Sequence, residues 1–444
     1  MLQEHIERFS KLFLKKIENK KIQIIAHFDT DGISSAAILS KTLEKLNKQF
    51  LIKIVKQLTK EEINNFPKER IIILLDLGSG SLNELKNLDR EILIIDHHEY
   101  STNNIPENIL ILNPHFLKEN YEELCTAELC YLVAKSISQE NKNLAYLAIL
   151  GIIGDTLEKN ISKIRNTIIN EANIKIKKGL LIYPSTRPID KALEFSSKPF
   201  IPGVTGDSKG TYELLKEAGI EKTNKSFKSL IELDEEEMKR LTTAILLRLP
   251  ASEGSEYLGN LYLIKFFNKI EDARELSAII NACSRMDKPE IALMLCLGNT
   301  EARKKAERLY IKYRQHIISG LRYIEKNNNI TGKKYVIINA KDKIKDTIIG
   351  TLASILSFSS IYQEGTIIIA MAYHNEKIKV SARLCGKYSK DSRNLRELMD
   401  SITSIIGGES GGHKEAAGCI INKKDEERFI ELIKKQLEIE IIKV

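Results

Sequence analysis

The 444-residue sequence contains no tryptophan, only 6 cysteines and 9 prolines, and aromatic residues make up just 6% of it. Cys125, Cys130, Cys283, Cys296, Cys385 and Cys419 form no C-x-x-C pair and are too sparse in so long a chain to serve as a disulfide framework. They are expected to be reduced, mostly buried thiols of a cytoplasmic protein. No apolar run approaches the roughly 18 residues that a membrane-spanning helix needs, so no membrane partner is expected. A signal peptide's continuous apolar region is also missing: Leu2, Ile6, Phe9, Phe13 and Ile17 instead mark one stripe of an amphipathic helix. Acidic residues are in slight deficit, 60 against 68 basic, for a net charge of +8. That excess suits a polyanionic partner but is too small to identify one. The 43% hydrophobic content is ample for two or three domains with real cores.

The stretch that organises the chain is His27-Phe28-Asp29-Thr30-Asp31-Gly32. Lys21 to Ala26 reads as a buried strand and Ile33 to Leu46 has helical spacing, so both carboxylates fall in a strand-to-helix turn. Open α/β sheets place their ligands at such turns. An imidazole and two carboxylates at alternate positions can converge on divalent cations, and the helix start offers N–H groups to phosphate. An Asp helix cap with a satisfied neighbour is the alternative.

Short apolar runs near 21–27, 51–56, 70–76, 91–96 and 109–113 alternate with helical stretches, the pattern of a parallel sheet. The third run ends in Asp76, followed by Leu77-Gly78-Ser79-Gly80, and the fourth in Asp96-His97-His98-Glu99. In a parallel sheet the strand carboxyl ends share one edge, so His27, Asp29, Asp31, Asp76, Asp96, His97 and His98 are expected to face one crevice. Helices are expected near 122–137, 142–154 and 163–179. The second ends in Gly151-Ile152-Ile153-Gly154-Asp155, a small-residue run able to press against the sheet and carrying a further carboxylate.

Pro184, Pro188, Pro199 and Pro202 with Gly203, Gly206 and Gly210 mark a junction. Residues 211–327 read as mostly helical, and the charged stretch from Thr300 to Lys326 as a solvated helix. The last domain shows strands near 334–339, 366–373 and 377–384 and helices near 344–357, 393–405 and 425–438. Within it, Gly407 to Gly418 sets five glycines and two alanines around His413, a backbone able to approach an anion closely or to pack as a tight turn. Arg383, near the end of the preceding strand, would make a phosphate fork beside it, or stand as an exposed strand-end residue. The expected fold is α/β: a parallel-sheet domain over 1–190, a mostly helical insertion over 191–327, and a smaller α/β domain with a mixed sheet over 328–444.

Taken in order, His27 to Gly32, Asp76, Asp96-His97-His98 and Gly154-Asp155 resemble the four motifs of the DHH phosphoesterases, and the glycine run with His413 resembles the family's C-terminal associated domain. Within the family, the stretch Phe200-Ile201-Pro202-Gly203-Val204-Thr205-Gly206 and the helical insertion are most similar to archaeal RecJ-like exonucleases, including the GINS-associated nuclease. The resemblance implies a two-metal phosphodiesterase, an exonuclease on single-stranded DNA with RNA as an alternative, in replication or repair. Small-substrate phosphodiesterases and a replisome scaffold that binds GINS are the competing roles. The implied cofactor is two Mn²⁺ ions, with Mg²⁺ as an alternative. His27, Asp29 and Asp76 would hold one ion and Asp31, Asp76, His97 and Asp155 the other, with Asp76 bridging. His98 would contact the phosphate and Asp96 orient an imidazole, while Arg383, Gly411, Gly412 and His413 would bind the substrate. The oligonucleotide-binding barrel of bacterial RecJ has no expected counterpart before Val444, so digestion polarity is not carried over.

Overall fold

The computed structural model describes residues 2–100, 104–117, 123–196, 199, 201–223, 226–249, 257–359, 361–386 and 393–439, so Phe200 of the quoted motif and Val444 lie outside the described residues. The N-terminal sheet contains β1 (Lys21–His27), β2 (Phe50–Val55), β3 (Arg70–Leu75), β4 (Ile92–Ile95) and β5 (Ile109–Leu112), all parallel, in the order β2-β1-β3-β4-β5. Continuous Ile and Leu runs form β3 and β4 because both faces are covered. Ile71, Ile73 and Leu75 of β3 pack into one core with the helices Leu2–Ile17, Thr30–Lys45, Thr126–Ile137 and Ala145–Gly154. Ile72 and Leu74 face a second core with Ile63, Phe66, Leu82 and Leu85, as the two-residue period of a strand requires. The strand order reverses between β1 and β3, and their carboxyl ends therefore border the crevice where such sheets bind ligands.

The helix expected to reach residue 179 stops at Glu171, and Asn173 adopts a left-handed conformation (φ 49°) after it. The chain continues into β6 (Lys175–Leu180), which pairs antiparallel with β7 (Leu258–Phe266), itself paired with β8 (Lys269–Asp272). The mostly helical reading of 211–327 lacked β7 and β8, and β6 overlaps the helix expected near 163–179. The β7–β8 hairpin turns on Phe267 (φ 48°) and Asn268 (φ 61°), a pair of left-handed residues that lacks the glycine by which such turns are recognised in sequence. Tyr262, Ile264, Phe266 and helix Ala273–Arg285 join the main core, whereas 180–249 encloses a core of its own around Leu193, Leu214 and Leu241. The chain divides into two compact units, Met1–Tyr310 and Ile311–Val444.

The second unit holds β9 (Ile330–Gly332), β10 (Tyr335–Asn339), β11 (Ile367–His374), β12 (Lys377–Leu384), β13 (Glu409–Gly412) and β14 (Ala416–Asn422). Their order is β13-β14-β12-β11-β10-β9, with β10 and β11 parallel and the remaining neighbours antiparallel. Helix Leu395–Ile406 buries Leu398, Met399 and Ile402, and helix Glu426–Ile439 buries Phe429 and Ile433, all in this sheet's core. All six cysteines are free and buried. Among the described residues, no helix is long and apolar enough to cross a membrane.

Candidate metal centre

Asp29 caps helix Thr30–Lys45, its Oδ1 accepting from Gly32 N at 3.0 Å, and Thr30 N donates to Asn281 Oδ1 at 3.1 Å. The Thr30 and Gly32 N–H groups are therefore committed within the protein, so Gly32 does not offer its N–H to phosphate as expected. Glycine at 32 is a steric requirement, because a Cβ there would lie 2.3 Å from His27 O. The turn directs the Asp31 side chain inward, where Oδ2 and Oδ1 each accept at 2.8 Å from Thr126 N and Ala127 N, the first donors of helix Thr126–Ile137. Gly151 presses against this contact rather than against the sheet: a Cβ there would meet Asp31 Oδ1 at 2.6 Å and Ala127 Cβ at 2.4 Å.

Asp76 follows β3 in a left-handed conformation (φ 60°), with its N–H still paired to Ile95 O at 3.0 Å. An Asp tolerates that conformation and turns its carboxylate along the sheet edge. Asp76 Oδ2 lies 3.1 Å from His27 Nδ1, which is also 3.0 Å from Asp29 Oδ2. Asp76 Oδ1 lies 3.4 Å from His97 Nε2 and accepts from Thr126 Oγ1 at 3.1 Å. His97 Nε2 is also 3.3 Å from Asp155 Oδ2. The two oxygens of one buried carboxylate thus face two imidazoles, each flanked by a second carboxylate. Asp96 accepts from Ser79 N at 2.9 Å, His97 N at 2.8 Å and His98 Nδ1 at 2.7 Å. It orients His98, whose side chain is 46% exposed, with Nε2 as the ring nitrogen left to point away from this bond. Asn113 braces the same loop, donating to His98 O and Ser79 Oγ.

The electrostatics follow from crowding like charges out of water. Burial and the charge of Asp76 push Asp31 up to about 8. Burial, then Asp31 and Asp76, raise Asp155 well above its ordinary value. Burial opposes charge on the imidazoles, yet Asp29 and Asp76 hold His27 well above the usual range, and Asp76 and Asp31 lift His97 to about 10. Burial would also raise Asp76, but hydrogen bonds from His27 and His97 hold it well below the usual carboxylate range. Protons thus balance a cluster that a cation would balance better. Asp155 Oδ2 is buried without a hydrogen-bond partner. Ligand atoms of His27, Asp29 and Asp76, of Asp31, His97 and Asp155, and of Asp76, His97 and His98 lie within 4.8 Å of one another in three overlapping groups. Imidazole and carboxylate donors converging beside an unsatisfied oxygen fit a divalent cation.

In the second unit, Arg383 lies on β12, its Nε donating to Ser354 Oγ at 2.9 Å and its Nη1 to Ala382 O at 2.8 Å. Gly411 and Gly412 form part of β13, opposite Gly418 and Ala417 of β14. The exposed His413 closes the hairpin through its N–H to Ala416 O at 2.8 Å. Much of the glycine run is thus sheet, and Gly418 lies where a Cβ would meet Val380 O at 2.6 Å. Sequence reasoning missed Thr126, Ala127, Asn113 and Asn281. Only the first pair left a signal, the Cys125-Thr126-Ala127-Glu128 run that imitates a capping box with cysteine in place of serine.

A parallel sheet covered on both faces, with acidic and imidazole groups gathered at its switch point, defines an α/β fold with a candidate cation-binding edge. The N-terminal domain model of the DHH family matches residues 21–152, the DHHA1 domain 332–438 and the DHH-CID domain 182–256. An uncharacterized protein of Methanocaldococcus jannaschii is 31% identical over 98% of both chains. RecJ from Thermus thermophilus in complex with Mn²⁺ has a similar fold, with TM-score 0.61, 18% identity and 97% of this chain covered. This chain spans only 54% of that RecJ. CDC45 from Entamoeba histolytica is similar with TM-score 0.65 and 13% identity, covering 96% of this chain and 98% of that one. The chain belongs to the DHH family.

Proposed function

We propose that this protein is a metal-dependent exonuclease that hydrolyses phosphodiester bonds of single-stranded DNA, with RNA as a further substrate. The observation that carries the reading is the pair of imidazoles flanking Asp76, each backed by another carboxylate, one of which, Asp155, has its Oδ2 buried without a hydrogen bond. His27, Asp29 and Asp76 would hold one cation and Asp31, Asp76, His97 and Asp155 a second. Mn²⁺ is the proposed ion and Mg²⁺ the alternative. Bound there, divalent cations would supply an activated water and screen the phosphate charge. Burial opposes charge on His98, yet Asp96, accepting from Nδ1, raises its pKa, so the imidazolium can donate from its other nitrogen to a phosphate oxygen or leaving group. Asp31, fixed by two helix N–H groups, keeps its carboxylate in place whether or not it is protonated.

Arg383, Gly411, Gly412 and His413 are proposed to bind the nucleic-acid strand, and residues 1–190, 191–327 and 328–444 to serve as catalytic, insertion and substrate-binding parts. GINS is the partner implied by the family resemblance, and the DHH-CID match at 182–256 marks the segment to delete when testing it. The reading is tested by digesting DNA and RNA strands labelled at either end, with Mn²⁺ or Mg²⁺. Stepwise shortening of single strands is expected. Cleavage confined to dinucleotides would replace it with the small-substrate role.

A further inference from the structure

Arg165 and Glu128 form an ion pair whose side chains are both 0% exposed, deep in the first unit, and neither belongs to the ligand set. A buried pair of this kind gives little net stability over an apolar pair, so its connections are the more informative feature. Every Arg165 donor is used. Nε and Nη2 grip the two Glu128 oxygens at 3.0 and 2.7 Å, Nη2 also donates to Glu123 O at 2.5 Å, and Nη1 donates to Leu157 O at 3.2 Å and to Asn160 O. Glu128 Oε2 in turn accepts from Cys125 N at 3.0 Å, which fixes the start of helix Thr126–Ile137.

Those connections reach the metal centre from both sides. The helix start that Glu128 fixes supplies Thr126 N and Ala127 N to Asp31, and Thr126 Oγ1 to Asp76. Of the carbonyls that Nη1 holds, Leu157 follows directly on Asp155 and the left-handed Thr156 (φ 59°), and Asn160 ends the short helical turn Leu157–Lys159 that comes next. One guanidinium therefore joins the cradle of Asp31 to the chain that carries Asp155. Those two carboxylates come from separate elements and meet only in the tertiary structure.

We propose that Arg165 is a positioning residue of the metal centre, locking the Asp31 cradle and the Asp155 turn in one geometry through Glu128 and the Leu157 and Asn160 carbonyls. The proposal rests on the divalent-metal reading. A lysine cannot reproduce the five-donor fork. The test is calorimetric titration of Mn²⁺ into the full-length wild type, Arg165→Lys and Glu128→Gln, each well below its melting temperature. Mn²⁺ affinity is expected to fall roughly ten- to a hundredfold in Arg165→Lys with unchanged circular dichroism, and less in Glu128→Gln, which keeps an acceptor oxygen. Wild-type affinity in either folded variant, even with a lowered melting temperature, would reduce the pair to a structural role and overturn the proposal. Should Arg165→Lys fail to fold, Glu128→Gln and amide exchange on the wild type decide: Mn²⁺ should slow exchange in both 123–131 and 157–168, and protection of only one segment contradicts the coupling. A wild type that takes up no Mn²⁺ would instead sink the metal reading itself.

Discussion

At the carboxyl edge of β1, β3 and β4, carboxylates and imidazoles are withdrawn from water against one another, whereas the β13–β14 hairpin leaves its polar backbone paired and open space where a Gly411 side chain would stand. Glycines serve opposite purposes in the two regions. Gly32 and Gly151 exist because side chains there would collide with His27 and Asp31, while a Cβ at Gly411 would meet nothing within 4 Å. Buried charge that lacks full compensation demands a ligand. A glycine hairpin whose groups are paired in a sheet makes no such demand, and its case for substrate contact rests on Arg383 and the exposed His413.

The sharpest way to break this contrast is Asp76→Ala, which removes the carboxylate shared by both imidazoles. Turnover is expected to fall on the order of a thousandfold or more, with the fold retained by circular dichroism. Near wild-type turnover at saturating Mn²⁺ would mean that the edge is not the reaction site. Arg383→Ala should act differently. Strand affinity is expected to drop about ten- to a hundredfold through one lost charge-assisted contact, raising KM while Mn²⁺ binding stays unchanged. Loss of Mn²⁺ binding in that variant would erase the separation of roles. The smallest effects compare the glycines directly by thermal melting. Gly151→Ala should cost about 1–3 kcal/mol by overpacking against Asp31 and Ala127, and Gly411→Ala should stay within about 0.5 kcal/mol. Equal costs at both positions would remove the steric argument.

The sheet was legible because Ile and Leu runs ending in Asp or His repeat with the spacing of parallel strands, and β1, β3 and β4 lie within a residue or two of the expected spans. The placement of His27, Asp76 and His97 at one edge follows from topology, which sequence conveys well. What holds them was not legible. Asn281 and Arg165 reach their partners across 251 and 37 residues, and such pairings depend on packing that no local pattern encodes. The β7–β8 hairpin escaped for a local reason, since Phe267 and Asn268 adopt a turn normally announced by glycine. In the C-terminal region the glycine run signalled close backbone approach correctly, but the approaching element is Val380 of the neighbouring strand.

An exchange of protons for cations is the behaviour expected of this cluster. It is tested most directly by titrating Mn²⁺ into chelator-treated protein by calorimetry, in buffers of differing ionisation enthalpy and across rising pH. His97 is lifted from 6.5 to about 10 and Asp31 from 3.8 to about 8, so both stay largely protonated near neutrality and must give up protons when a cation binds. Two ions per chain are expected, with proton release on binding and an affinity that strengthens as pH rises through about 8 toward about 10. In the same window the metal-free protein should lose stability, because groups with raised folded-state pKa values favour the fold only while they hold their protons. Absence of Mn²⁺ binding, or binding that releases no protons and persists unchanged in Asp76→Ala, would contradict it.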